Sequence, residues 1–238
     1  MKKILLLLAL VPIIGFGQTK NVVTSSRIFA KNGKTLELEK ALAAHSQKYH
    51  TGNWKWRVFQ IESGPDASGY HIVEGPNSWT ELDSRSNLGD IHMADWVKSV
   101  EALTEGKVST GYSVYREDLS AAKVDDFVDK IAITHIYPIQ GEFDKVESRL
   151  KKLKKVWEAS GQNIVVYQAS SSGPSQLSIV TRYKTGWKER ETGFMKPFKE
   201  RYDAVHGEGA YQEWQDEPIY TEKSWGEMLS YRPDLSSK

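Results

Sequence analysis

YREDLS at Tyr115–Ser120 returns as YRPDLS at Tyr231–Ser236. An echo of that length points to a repeat behind it, and the rest of the chain carries one. Gly33 aligns with Gly141, Tyr49 with Trp157 and Trp79 with Trp187, each by a shift of 108 positions. Between them VFQIESGP at Val58–Pro65 answers VYQASSSGP at Val166–Pro174, with one residue inserted. At the closing motif the shift has grown to 116, so the second copy holds a few extra residues late on. One domain design is used twice.

Each copy has the same order of elements. Val22–Ala30 has the β-branched content of a strand, and Asn32-Gly33 breaks it. Thr35–Tyr49 follows, with Leu38, Leu42, His45 and Tyr49 on one helical stripe; Val146, Leu150, Leu153 and Trp157 repeat that stripe in the second copy. Trp54–Ile61 and Tyr70–Glu74 read as strands joined across a Gly/Pro/Asp/Ser cluster, and Asn163–Ala169 and Leu177–Arg182 are their partners. Ser78 and Glu81 form a capping box that opens a second helix, interrupted at Asn87-Leu88-Gly89. Trp187, Phe194, Phe198, Tyr202 and Val205 supply the matching helix later. Val108–Arg116 and Lys223–Arg232 close the two copies as strands.

The order β-α-β-β-α-β, twice, predicts an α+β fold of two tandem ferredoxin-like repeats. A single repeat leaves one face of its antiparallel sheet bare, with aromatics such as Trp54 or Trp56 and Phe59 or Tyr167 on it. Packing the two sheets face to face as an intrachain barrel removes that exposure. The expected divisions are a signal peptide at 1–17, repeats at 18–120 and 131–238, and a linker at 121–130, rich in charge and small residues.

Lys2 and Lys3, the apolar run Ile4–Ile14 and Gly15-Phe16-Gly17 have the form of a cleavable export signal. The run is short for a membrane span. The expectation is therefore an exported protein, periplasmic or secreted, without a membrane partner after cleavage. The chain has no cysteine, so neither disulfides nor thiol chemistry hold or serve it. Without Lys2 and Lys3 it carries 30 basic against 31 acidic residues, and no aromatic motif lies in a basic groove, which argues against nucleic acid. Eight tryptophans imply large buried surfaces, an apolar pocket, or both.

This pattern resembles the dimeric α+β barrel superfamily, which includes antibiotic-biosynthesis-monooxygenase-like, haem-degrading and chlorite-dismutase-like proteins. The resemblance rests on the element order and on a tryptophan entering the second helix after a short turn, at Asn77-Ser78-Trp79 and Thr185-Gly186-Trp187. It implies a pocket lined by Trp79 or Trp187 and a downstream histidine, His92 or His206. It implies cofactor-independent oxygenase chemistry or haem as alternatives, and homo-oligomers. The spacings differ, 13 residues from Trp79 to His92 against 19 from Trp187 to His206.

His92 and His206 correspond loosely between the copies. Either suits a haem or metal ligand or a general base, and either suits a solvent-facing position at a helix end or loop. His135 aligns with Arg27, which suggests a polar position kept between the sheets. His71 reads as a satisfied structural histidine, and His45, whose partner is Leu153, as a residue at the core margin. Tyr115 and Tyr231 open the repeated motif. Its Arg116–Asp118 and Arg232–Asp234 pairs suit an anchor for the last strand or a bridge to the other copy, or else a grip on a carboxylate. No HExxH, CxxC, GxGxxG or P-loop pattern is present. The residues thus predict a barrel that binds a small apolar or aromatic molecule, with no metal site and no resident cofactor expected apart from the haem alternative. An oxygenase-like or haem enzyme and a protein-interaction module are the alternatives.

Overall fold

The computed structural model describes residues 19–85, 88–106, 108–171 and 173–238; the expected signal peptide and Asn87 lie outside them. The first copy runs β1 (Val22–Ile28), α1 (Thr35–Tyr49), β2 (Trp56–Ser63), β3 (Tyr70–Asn77), α2 (Trp79–Ser84), α3 (Asp90–Asp95) and β4 (Ser109–Tyr115). The second runs β5 (Lys130–Pro138), α4 (Phe143–Ala159), β6 (Asn163–Ala169), β7 (Leu177–Arg182), α5 (Phe198–His206), α6 (Ala210–Asp216) and β8 (Thr221–Tyr231). Gly33 (φ +72°) and Gly141 (φ +85°) occupy the same left-handed turn between strand and helix in both copies, a conformation that glycine adopts without steric cost.

All eight strands close into one antiparallel barrel in the order β1-β3-β2-β8-β5-β7-β6-β4. Each repeat contributes four neighbouring strands, and the two sheets join edge to edge. β2 pairs with β8 through Phe59–Tyr231 and Ile61–Leu229, and β4 pairs with β6 through Ser113–Ala169 and Tyr115–Tyr167. Closure gives every strand a neighbour on both sides, which limits the edge a barrel offers for edge-to-edge aggregation. The faces that a lone repeat would expose now look at each other across the interior.

Period-2 alternation divides the strand side chains between two environments. Phe59, Ile61, Ile131, Ile133, Val165, Val180 and Leu229 pack inside the barrel. Outside it, α1 presses Leu38 and Leu42 onto Ile28, Val58, Tyr70 and Ile72. Val146, Leu150 and Trp157 of α4 do the same on Ile164, Val166 and Leu177. The helical stripe is buried in both copies, with Leu38 and Leu42 fully covered.

The repeated motif crosses between the halves. Leu119, at the end of repeat one, lies in the α4 core, and Leu235, at the end of repeat two, lies in the α1 core. Arg116 chelates Asp118 and also donates to Glu147 and Gln168 of the second repeat. Arg232 chelates Asp234 and donates to Glu39 (2.7 Å) and Gln60 (3.2 Å) of the first. The backbone N–H of Val166 donates to Ser120 Oγ at 2.8 Å, and that of Val58 to Ser236 Oγ at 2.9 Å. Each motif latches its own final strand onto the opposite copy.

The segment 121–130 spans one end of the barrel. Arg182 donates to the carbonyls of Lys123 (2.7 Å) and Val124 (2.9 Å), and the Phe127 ring lies 3.4 Å from the Arg57 guanidinium carbon. The second repeat departs from expectation between Trp187 and Phe198. A short tight turn at Trp187–Arg190 replaces the start of a helix, and regular helix resumes only at α5. Gly193, at φ +89°, and Pro197 interrupt the hydrogen-bond ladder there.

Candidate functional site

Three imidazoles converge outside the barrel, between the sheet of the first repeat and its helices. His45 lies on the last turn of α1, and His50 caps the same helix. His92 comes from α3. The Nε2 of His92 is 3.1 Å from Nε2 of His45 and 3.4 Å from Nε2 of His50. One nitrogen from each ring lies within 4.8 Å of the other two. His45 and His50 are buried, and the Trp56 indole stacks on His50 with centroids 3.4 Å apart.

Carboxylates stand behind two of the rings. His45 Nδ1 is 2.8 Å from Asp95 Oδ2, so the ring donates there and turns the Nε2 lone pair toward the cluster. His50 Nδ1 lies 3.5 Å from Glu74 Oε2. Glu74 also accepts from Trp56 Nε1 at 2.9 Å and from Arg85 at 2.8 Å, while its other oxygen, Oε1, is buried without a partner. Burial lowers the pKa of all three histidines; for His92 burial and the charges of the other two bring it to about 4. The cluster is thus neutral at physiological pH, with Nε2 of His92 in contact with Nε2 of both other rings. Beside it opens a cavity of about 240 Å³ lined by Trp56, Ile72, Glu74, Arg85, Met93 and Trp96.

A second cavity, of about 340 Å³, lies inside the barrel. Arg27 and His135, aligned in sequence, both face it and both bind Glu227. Arg27 also holds Asp66, and His135 Nδ1 accepts from Gln176 at 2.6 Å. Apolar walls come from Phe59, Val73, Ile131, Ile133 and Val180, with Phe127 and Val128 at the linker end.

The remaining sequence candidates lie elsewhere. Trp79 is 45% exposed and rests against Tyr112 on the surface, and Trp187 packs on Tyr183; neither lines a described cavity. His206 Nε2 is 3.0 Å from the Lys152 carbonyl, which fixes it as a donor. Tyr115 donates its hydroxyl to the Ala122 carbonyl, and Tyr231 packs on Phe59. Of the two loosely matched histidines, only His92 joins a cluster. His45 is more than a residue at the core margin, and His50 escaped the sequence reading altogether. The available signal was a pair of histidines five apart straddling a helix end, one of them breaking an apolar stripe that Leu153 keeps intact in the other copy.

No family model matches the sequence, and no curated protein matches it. Solved structures do match it over most of its length. A candidate monooxygenase from Lactobacillus acidophilus shares 11% identity, covering 92% of this chain and 96% of its own, with a TM-score of 0.52. An anthrone oxidase-like protein shares 10% identity over 90% and 92%, with a TM-score of 0.53. A mutant chlorite dismutase from Candidatus Nitrospira defluvii shares 6% over 92% and 94%, with a TM-score of 0.51. The fold, an eight-stranded antiparallel barrel with helices packed outside it, is shared with these solved structures. At these identities the likeness concerns the barrel and its helices alone, and the chemistry rests on the side chains above. No helix among the described residues is long and apolar enough to cross a membrane.

Proposed function

We propose that the chain is a metalloprotein in which His45, His50 and His92 hold one divalent first-row transition ion. The observation that carries this reading is the spacing of the three nitrogens. An ion about 2.1 Å from both partners would see His92 and His45 about 95° apart, and His92 and His50 about 108° apart, and holding all three at that length brings the His45 and His50 nitrogens within about 4.2 Å of each other. Three neutral imidazoles suit Zn²⁺, Cu²⁺, Ni²⁺ or Fe²⁺ rather than Mg²⁺ or Ca²⁺. Asp95 and Glu74 stand where outer carboxylates orient metal-bound histidines.

Three protein ligands leave a coordination position free, the arrangement of catalytic rather than structural zinc sites. An ion there supplies a Lewis acid that polarises a bound water or substrate oxygen. The residues around it divide the remaining work. Trp56, Trp96, Ile72 and Met93 give the adjoining cavity apolar walls for a small apolar or aromatic molecule. The unpartnered Oε1 of Glu74 is placed at the cavity wall to accept a hydrogen bond from a bound molecule. The export expected from Met1–Gly17 belongs to the same proposal: a thiol-free ligand set suits an oxidising compartment.

Haem fits this cluster poorly. A macrocycle on His92 would have to lie where His45 and His50 stand within 3.4 Å of its Nε2. His206 spends its Nε2 on a backbone carbonyl. The test is a titration of chelator-stripped protein with Zn²⁺ and Co²⁺. One ion per chain, lost in His50→Gln, supports the proposal. Stoichiometry unchanged in that variant, or a Soret band on adding haem that depends on His92, refutes it.

A further inference from the structure

The barrel interior holds an imidazole that the three-histidine centre does not use. His71, on β3, lies between Arg27 of β1 and Phe59 of β2 in the strand register and faces the inner cavity. It is 9% exposed, and its Nδ1 is sealed from solvent with no hydrogen-bond partner. The two polar groups beside it are already committed. Arg27 is bound by Glu227 and Asp66, and His135 is held at one nitrogen by Glu227 and at the other by Gln176. At the matching place in the second repeat, Ser178 lies 3.3 Å from His135 Nδ1. His71 alone of this group is left with nothing, and buried polar groups are nearly always paired.

We propose that the barrel interior is a second binding site, for a small uncharged molecule with an apolar body and one hydroxyl group that donates to His71. Charge and shape each narrow the class. Neither guanidinium of the lining is free to pair with an anionic head group: Arg27 is matched by Glu227 and Asp66, and Arg182 is spent on the carbonyls of Lys123 and Val124. Burial, with Arg27 next to it, takes the His71 pKa down to about 3, so the ring is neutral and offers a lone pair. Phe59, Val73, Ile131, Ile133 and Val180 supply the walls, and about 340 Å³ lies at the small end of ligand pockets, suiting one or two fused rings. Ser109, Ser171 and Gly173, all exposed, also line the inner cavity. Phe127 and Val128 line the cavity at the linker end.

The experiment compares three probes of one shape in EDTA, so that the outcome is independent of any ion at the three-histidine centre. The probes are 2-naphthol, 2-methylnaphthalene and 2-naphthoate, and binding is followed by calorimetry. The expected result is that 2-naphthol binds about tenfold tighter than 2-methylnaphthalene, as one added hydrogen bond to a buried partner provides, and that 2-naphthoate binds weakest. His71→Leu should bring the first two together by weakening 2-naphthol alone. Ile133→Trp, which fills the cavity, should abolish all three. Equal affinities in the wild type, a hydroxyl preference that survives His71→Leu, or binding that survives in folded Ile133→Trp would each overturn the proposal. None of these outcomes bears on metal binding, which is read separately from the ion titration.

Discussion

Loading the three-histidine centre should raise the melting temperature, by an amount that reports on each group in it. With free Zn²⁺ at a hundredfold excess over its Kd, binding to the folded state alone adds about 2.7 kcal/mol. For a chain of this size each kcal/mol is worth about 2–4 °C, so the expected rise is about 5–10 °C. His92→Ala removes the ring whose Nε2 lies within 3.4 Å of both others. Losing a direct ligand should cost at least the ~100-fold that sets the upper range for an outer partner. At the same zinc concentration the gain then falls to about 0.4 kcal/mol, or about 1 °C. Asp95→Asn, which loosens only the 2.8 Å hold on His45, should fall between, with affinity down ~10–100-fold. Differential scanning calorimetry with zinc and with EDTA reads all three. A rise in His92→Ala equal to that of the wild type would mean that the ion binds elsewhere. No rise in the wild type would remove the centre altogether.

Other outcomes follow from the packing and the charges. Leu150→Ala should destabilise by about 2–5 kcal/mol in urea unfolding, since Leu150 is buried beneath α4; a loss under about 0.5 kcal/mol would contradict that burial. Arg232→Ala should cost about 1–3 kcal/mol by removing the bonds to Glu39 and Gln60 across the halves, and an unchanged urea midpoint would show the latch to be idle. Glu227 should carry an acid-dependent share of stability. Burial would raise its pKa, but hydrogen bonds from His135 and Arg27 outweigh this and bring it to about 2. That share, on the order of 3 kcal/mol, is present above about pH 4.3 and lost as pH falls toward 2. Glu227→Gln should therefore flatten the stability profile between those values, and an unaltered profile counts against the network. Cutting the backbone within 121–130 should leave fragments that still melt as one unit or aggregate; two soluble, independently melting halves would defeat the closed barrel.

The fold was legible because it was written twice. Two different sequences keep the helical stripe at the same positions, and α1, β6 and β7 begin and end where the periodicity places them. The second helix of the second repeat was misread because Trp187, Phe194 and Phe198 have helical spacing, while Gly193 and Pro197 between them break the ladder. The three-histidine cluster was hidden for a different reason. His45 and His50 are close in sequence, but His92 is brought to them by the packing of α3 on α1, a tertiary fact with no local pattern. His71 looked satisfied because sequence alone does not tell which of two inward-facing histidines Glu227 will hold.

The edge pairing that closes the barrel also changes what each half is free to become. Two separate chains joined this way would part on dilution, whereas a short covalent connection holds the halves at an effective concentration in the millimolar range. Identical chains would also be bound to build every site twice, once on either side of their axis. Joined halves are released from that duty. Leu153, Glu158 and Thr181 stand where His45, His50 and Glu74 stand in the first repeat, by sequence shift or strand register. One half carries the three-histidine cluster, and its twin is the frame that keeps it in shape.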